Sequence, residues 1–264
     1  MSATDVSAPT AKQEEGAQQE ELSQRRLVRH IVFPLLVAAA LGLLYLYIRS
    51  QELDSIEQRL LDSDGIRTAV LEHISISLWT ALFTLAVAIP LGVALTRPWA
   101  HRITPFVIGM ANVGQGVPAV GTIVVMFLLF FRDGSKATIA GLVVYCLLPV
   151  LRGTMVGLQQ VDEDTVKAAR GMGMSKRAVL WRIELPLSIP IMLTGVRTAL
   201  VLAVSTAVLA AFVGGGGIGR LLTGGFAQTR PNVVYVGSVL AAALAVLADW
   251  LGGLAEDYLR PKGL

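Results

Sequence analysis

Between Val161 and Pro190 the chain reads VDEDTVKAARGMGMSKRAVLWRIELPLSIP, the one long polar stretch in an otherwise apolar second half. Asp162 is placed to cap a helix, and Glu163 and Asp164 put negative charge at the positive end of that helix's dipole. Thr165 to Arg170 continues in good helix formers, and Gly171 and Gly173 loosen the run. A second, basic helical piece is predicted from Ser175 to Glu184, with Pro186 and Pro190 expected to end it. The chemistry open to such a stretch is recognition rather than bond making. Two short helices meeting at a glycine elbow, flanked by membrane-length apolar runs, form a handle for a partner protein.

Few other residues are candidates for chemistry. Gly214-x-Gly216-x-x-Gly219 has the spacing of a dinucleotide fingerprint, but it follows an apolar helix-length run rather than a strand. Close helix packing or a flexible turn on the outer face accounts for it instead. No GxxxxGK[ST] occurs, so any ATP driving this protein is held by another polypeptide. His30, His73 and His101 are expected at membrane edges and do not make a metal site, and no Ser/His catalytic set is recognisable. The single cysteine, Cys146, lies in an apolar run and reads as a small packing residue.

Two polar features fall inside apolar runs. From Asn112 to Gly121, Asn112, Gly114, Gln115, Gly116, Pro118 and Gly121 interrupt a membrane-length stretch. Broken backbone at that depth is tolerated where it is buried in protein or lines a cavity. Asn112, Gln115, Gly116 and Pro118 are therefore candidates for a translocation path, and a packed structural kink is the competing reading. The segment carries no cation, which suits a cationic solute, and no aromatic cage for one is evident. Asp249 is the second feature, readable as a proton relay, a partner of Arg197 or a solvated interfacial acid.

The elements that must position these residues follow from composition. Of 264 residues, 54% are hydrophobic and only 16% charged, and mean hydropathy is +0.63. A soluble domain carries about a quarter charged residues, so the chain reads as an all-α integral membrane protein. Residues 1–24 are polar and aperiodic, and the tail 1–29 is expected to be disordered. Arg25, Arg26 and Arg29 precede 18 uncharged residues from Ile31 to Ile48, a retained anchor rather than a signal peptide. Further spans are predicted at Ile76–Leu95, Ile103–Phe131 and Ala137–Leu151. The last two are Thr198–Gly219, extended back to Leu187, and Val233–Ala248.

About six membrane helices result. With the N-terminus inside, fourteen Lys and Arg residues fall in inner loops and tails against seven outside. Both termini and the elbow are therefore expected in the cytosol, and the acidic loop from Glu52 to Asp64 outside.

The elbow resembles the EAA loop of permease subunits of bacterial ABC importers. Lys167-Ala168-Ala169, then Gly173, Ile183 and Leu185-Pro186 hold its offsets across 20 residues, with Lys167 where the family has glutamate. Glu163 and Asp164, one turn earlier, offer a shifted acidic contact. The resemblance implies a type I importer permease whose coupling helix enters a groove on an ATPase subunit, the alanines permitting close approach and Gly173 the turn that aims the helix outward, with Gly171 beside it.

From about Leu71 to the end, the chain is similar to the osmoprotectant branch of that family. Glu72-His73-Ile74, Ile89-Pro90-Leu91-Gly92, Asn112 to Pro118, Leu148 to Arg152, Val196 to Ala199, Phe212 to Gly219 and Ala248-Asp249 carry the likeness. It implies a bacterial inner-membrane subunit importing glycine betaine, choline or carnitine, not itself an enzyme. ATP and Mg would sit on a partner ATPase, and an external binding protein would deliver solute. A second or sister permease and lipid are further partners, and nucleic acid is not. The expected organisation is a tail at 1–29, a first membrane helix and external loop at 30–70, a permease core at 71–258 with its loop at 161–190, and a tail at 259–264. The alternatives are a permease for amino acids such as methionine, or an ion-coupled secondary transporter.

Overall fold

The computed structural model describes residues 31–259. The N-terminal tail, the arginine cluster, His30 and the C-terminal residues 260–264 lie outside the described residues. Every regular element among the described residues is a helix. They are α1 (Phe33–Arg49), α2 (Ser55–Leu60), α3 (Ser63–Leu95), α4 (Thr104–Gly116), α5 (Ala119–Leu129), α6 (Gly134–Gln159), α7 (Glu163–Gly171), α8 (Lys176–Val179), α9 (Leu185–Thr206), α10 (Gly219–Ala227) and α11 (Pro231–Leu259). Four helices among the described residues are long and apolar enough to cross a membrane: α3, α6, the continuous run from α8 through α9 to Val213, and α11. The pair α4 and α5 passes the same test as one span bent by 100°. At 17 residues, α1 is shorter, about 25 Å at 1.5 Å per residue. These elements occupy the six apolar stretches of the sequence.

Helix α6 runs through the middle, packed against α3, α4, α5 and α9. Lipid removes the hydrophobic force between apolar helices, so their contact depends on close approach, and small residues permit it. At the crossing of α6 and α9, a Cβ on Gly153 would lie 3.1 Å from the Cα of Gly195. One on Gly195 would run into the carbonyl of Pro149, and one turn further along a Cβ on Gly157 would meet the Ser188 carbonyl at 2.9 Å. On the other side of α6, a Cβ on Gly92 would fall 2.8 Å from Thr154. Cys146, fully buried among Leu148, Val150, Leu151, Ala199 and Ala203, packs as expected.

Two expectations fail here. Pro186 and Pro190 do not end the second elbow helix. A π-turn at Leu180–Glu184, where the Leu185 N–H donates to the Leu180 carbonyl, carries α8 into α9 without a stop. Pro186 then occupies the first turn of α9, where its missing N–H is no loss, and Pro190 lies inside a helix held by neighbours. His73 is not interfacial. Because α3 begins ten residues earlier than His73, the ring is carried into the bundle, fully buried, with Nε2 3.0 Å from the Val204 carbonyl of α9.

The glycine run is packed from Gly215 onward. Gly214, Gly216 and Gly217 have positive φ, and Gly215 to Gly219 are buried. Glu72 of α3 accepts from the Gly217 N–H at 2.8 Å and pairs with Arg220 at 3.1 Å, while a Cβ on Gly216 would collide with that carboxylate. Ser135 at the start of α6 donates to the Gly215 carbonyl at 2.8 Å. Asp249 is paired: Arg197 of α9 grips both its oxygens at 2.6 Å and reaches Glu256 at 3.5 Å.

That grip yields a stability prediction. Arg197→Met takes from Asp249 and Glu256 the cation they share, at an expected cost of about 2 kcal/mol or more, read as a drop in Tm in detergent. Adding Asp249→Leu is expected to restore most of the loss. A double variant no more stable than Arg197→Met would contradict a structural pair.

Candidate functional site

The elbow is built from caps. Asp162 accepts from the Thr165 N–H and the Thr165 hydroxyl, each at 2.8 Å, starting α7 as its position suggested. The Thr165 hydroxyl, with the backbone N–H groups, holds the Asp162 carboxyl below its ordinary value. The cap is thus fully present above that ordinary value and is lost as pH falls through the lowered one. Lys167 reaches back to Asp164 at 3.1 Å and Glu163 at 3.4 Å, on an exposed face. The Asp164 carboxylate, first among these neighbours, raises the Lys167 ammonium above its ordinary value. Glu163 and Asp164 therefore sit under a cation of their own helix.

Gly171 and Gly173 do different work. Gly171 is the last residue of α7 and a Cβ there would meet open space. Gly173 alone is left-handed, at φ +86°. Its N–H donates to the Arg170 carbonyl at 3.0 Å and the Met174 N–H to the Ala169 carbonyl at 3.2 Å, a Schellman closure of the helix. Arg170 adds a bond from its guanidinium to the Met174 carbonyl at 2.9 Å. Ser175 then caps α8 through the Ala178 N–H at 3.2 Å.

Of the two alanines expected to face a partner, Ala168 is exposed, but Ala169 is 2% exposed and packed inside the elbow. The exposed apolar residues are instead Met172 and Trp181, at 77% and 70%. Neither stood out in the sequence, although an unpaired Trp and Met within a charged loop were a legible signal. Ile183, Leu185 and Pro186 lie half-buried at and after the π-turn. There Glu184 accepts from Arg97, just past the end of α3, at 2.7 Å, tying the foot of α9 to α3.

The broken span is a separate constellation. α4 stops at Gly116, Val117 is extended, and Pro118 begins α5 after the 100° bend. Asn112, Gly116 and Pro118 are exposed and Gln115 is half-buried. One expectation needs correction: the segment has no cation of its own, yet Arg152 of α6 donates to Asn112 Oδ1 at 2.8 Å. Arg152 lies seven residues before the end of α6, close in sequence to the elbow but 40 residues along the chain from Asn112. Asn112 also donates to the Ile108 carbonyl at 2.9 Å, so its amide is fixed on both sides.

A protein-family model described as a binding-protein-dependent transport system inner membrane component matches residues 73–260. The chain belongs to this family. Among relatives of this permease, the carnitine transport permease protein OpuCB of Listeria monocytogenes is 34% identical over 193 residues, 73% of this chain and 87% of that one. The glycine betaine/carnitine/choline transport system permease protein OpuCB of Bacillus subtilis is 35% identical over 193 residues, covering 73% and 88%. The osmoprotectant import permease protein OsmW of Salmonella typhimurium is 28% identical over 218 residues, covering 80% and 100%. The permease also shares its fold with a chain of the MetNI methionine ABC transporter in an inward-facing form, at TM-score 0.67 and 20% identity, over 74% of this chain and 96% of that one. The family match contains both the elbow and the broken span.

The two glycines give a paired prediction. Gly173→Ala forces a side chain into the left-handed region, costing about 1–2 kcal/mol of local stability. Hydrogen exchange at the Met174 amide should then quicken about fivefold or more. Gly171→Ala, with space for its methyl and better helix propensity, should leave that exchange unchanged or slower. Equal effects of the two substitutions would contradict the Schellman closure.

Proposed function

We propose that this chain is the membrane permease subunit of an ATP-driven ABC importer that takes up quaternary-amine osmoprotectants of the glycine betaine, choline and carnitine class. The observation that carries the reading is the elbow: a capped, closed pair of helices joining α6 to α9 and presenting Ala168, Met172 and Trp181 to a partner. A passive connection between two spans needs none of these caps. The names of the relatives supply the solute class, and the elbow supplies the coupling.

In this reading the elbow faces the cytosol together with both termini, in a bacterial inner membrane, and residues 71–258 form the core. Glu163, Asp164, Lys167, Ala168, Gly171, Gly173, Ile183, Leu185 and Pro186 form or support the contact with a separate ATPase subunit, Ala169 acting from inside. Because α8 runs into α9 through the π-turn, a push on the elbow is delivered along one shaft into the bundle. ATP and its Mg belong to the partner, and this chain carries no catalytic role. A second permease, identical or sister, completes the conduit, since one bundle supplies only one wall. Asn112, Gln115, Gly116 and Pro118 contribute to that wall, and an external binding protein delivers solute. A methionine-type permease is the second reading, favoured by the shared fold with MetNI.

The test is uptake of labelled glycine betaine into proteoliposomes holding the permease with its ATPase and binding protein. Uptake is expected to require ATP inside for inward transport and to persist when ionophores abolish ion gradients. Uptake that survives without ATP but collapses with the gradient would establish an ion-coupled carrier instead. Competition by methionine but not by choline would favour the second reading.

A further inference from the structure

Beyond the broken span, on the side away from the elbow, a cavity of about 470 Å³ opens between α3, α5 and α6. That is within the range of roughly 300–1,000 Å³ usual for small-molecule sites. Its inner end is Val144, the side chain against which Gly114 of the broken span packs, with 2.9 Å from Val144 Cγ1 to a Cβ built on Gly114. Val144 is therefore shared between the cavity and the break. Phe83 of α3, Phe131 just past α5 and Met126 of α5 line it. Phe83 is backed by Trp79 one turn away, the rings stacked at 5.6 Å. At the far rim stands Lys136, the third residue of α6.

The lining selects a chemistry. Apart from Lys136 it is apolar, so an ordinary ammonium or a carboxylate would lose its hydration there without replacement. A trimethylammonium group spreads its charge over methyls, is weakly hydrated, and is attracted to the faces of aromatic rings and to a polarisable thioether. Lys136 opposes a ligand that is only a cation. Its ammonium makes no ion pair among the described residues, and Asp133 Oδ1 accepts from the Lys136 backbone N–H at 2.9 Å. A carboxylate on the ligand would meet Lys136 at the rim while its methylated end entered the cavity.

We infer that the cavity between Phe83, Phe131 and Lys136 is a solute subsite adjoining the broken span, selective for trimethylammonium carboxylates over trimethylammonium alcohols. The inference rests on the reading of this chain as an importer of methylated ammonium solutes. The ligand leaves its carboxylate on Lys136, at the outer end, and passes its cationic end toward Val144 and the break. Lys136 thus acts on solutes of net zero charge and discriminates against choline.

The test compares wild type, Lys136→Gln and Phe83→Leu in proteoliposomes containing ATPase and binding protein. Initial uptake of labelled glycine betaine and choline is expressed relative to wild type for each solute, which cancels the preference of the binding protein. Lys136→Gln is expected to lower glycine betaine uptake about fivefold while leaving choline uptake equal or higher. Phe83→Leu is expected to lower both. A second measurement uses Ala140→Cys on the cavity wall, where the fully buried Cys146 gives no background. Labelling of that thiol in the purified complex should be slowed by glycine betaine more than by choline. A Lys136→Gln variant that changes both solutes equally or neither, or labelling indifferent to glycine betaine because an acyl chain fills the cavity, would overturn the subsite while ATP-driven wild-type uptake left the importer reading standing. Wild type that moves neither solute with ATP would overturn both.

Discussion

The close crossing of α6 and α9 is the constraint on which the rest of this structure depends. With Gly153 against Gly195 and Gly157 against Ser188, the two helices meet backbone to backbone, and in lipid such close packing is a main source of attraction between apolar helices. The elbow is the connection between these same two helices, α7 following α6 and α8 leading into α9. Its feet are therefore fixed at a short separation by glycines in the middle of the bundle. A loop between two loosely packed helices would absorb a push. In the proposed coupling this one would pass it to the closely crossed pair α6 and α9, and through α6 to the broken span that Arg152 touches.

Charge placement follows the same logic. Apart from Lys167 with Glu163 and Asp164 inside α7, the ionic contacts named here tie a chain segment at one end of the bundle or join two long helices. Arg97 and Glu184 bind the end of α3 to the π-turn, and Glu72 with Arg220 binds the other end of α3 to the glycine loop. Arg197 joins α9 to Asp249 and Glu256 of α11. Such pairs in a low-dielectric setting fix geometry more than they add stability. Two of them hold α9, one at its foot and one at its waist.

Much of this was legible in the sequence where the signal is local. The spans follow from apolar runs, α7 from Asp162 and the acids behind it, and the elbow from Gly173, because only glycine enters the left-handed turn freely. What was hidden depends on the neighbours of a residue. Pro186 and Pro190 read as stops, but a π-turn five residues long shifts the register so that Pro186 falls in a first turn. Ala169 matched a motif expected to face a partner, yet its side chain is buried. His73 was assigned to an edge because the uncharged run begins at Ile76, whereas the helix begins at Ser63. Arg152 and Asn112 are 40 residues apart and Arg97 and Glu184 are 87 apart, so no local pattern pairs them.

In the proposed assembly, a nucleotide-hydrolysing subunit holds this chain by the exposed face of the elbow. The most direct measurement is co-purification of tagged permease from native membranes in mild detergent, comparing wild type with Ala168→Glu/Met172→Glu. Both positions are exposed, so the folded bundle, checked by an unchanged Tm, should survive the substitutions. The account predicts an ATPase stoichiometric with wild type and absent from the variant. An ATPase retained equally by both, or none retained by wild type under conditions that keep other membrane complexes intact, would contradict it.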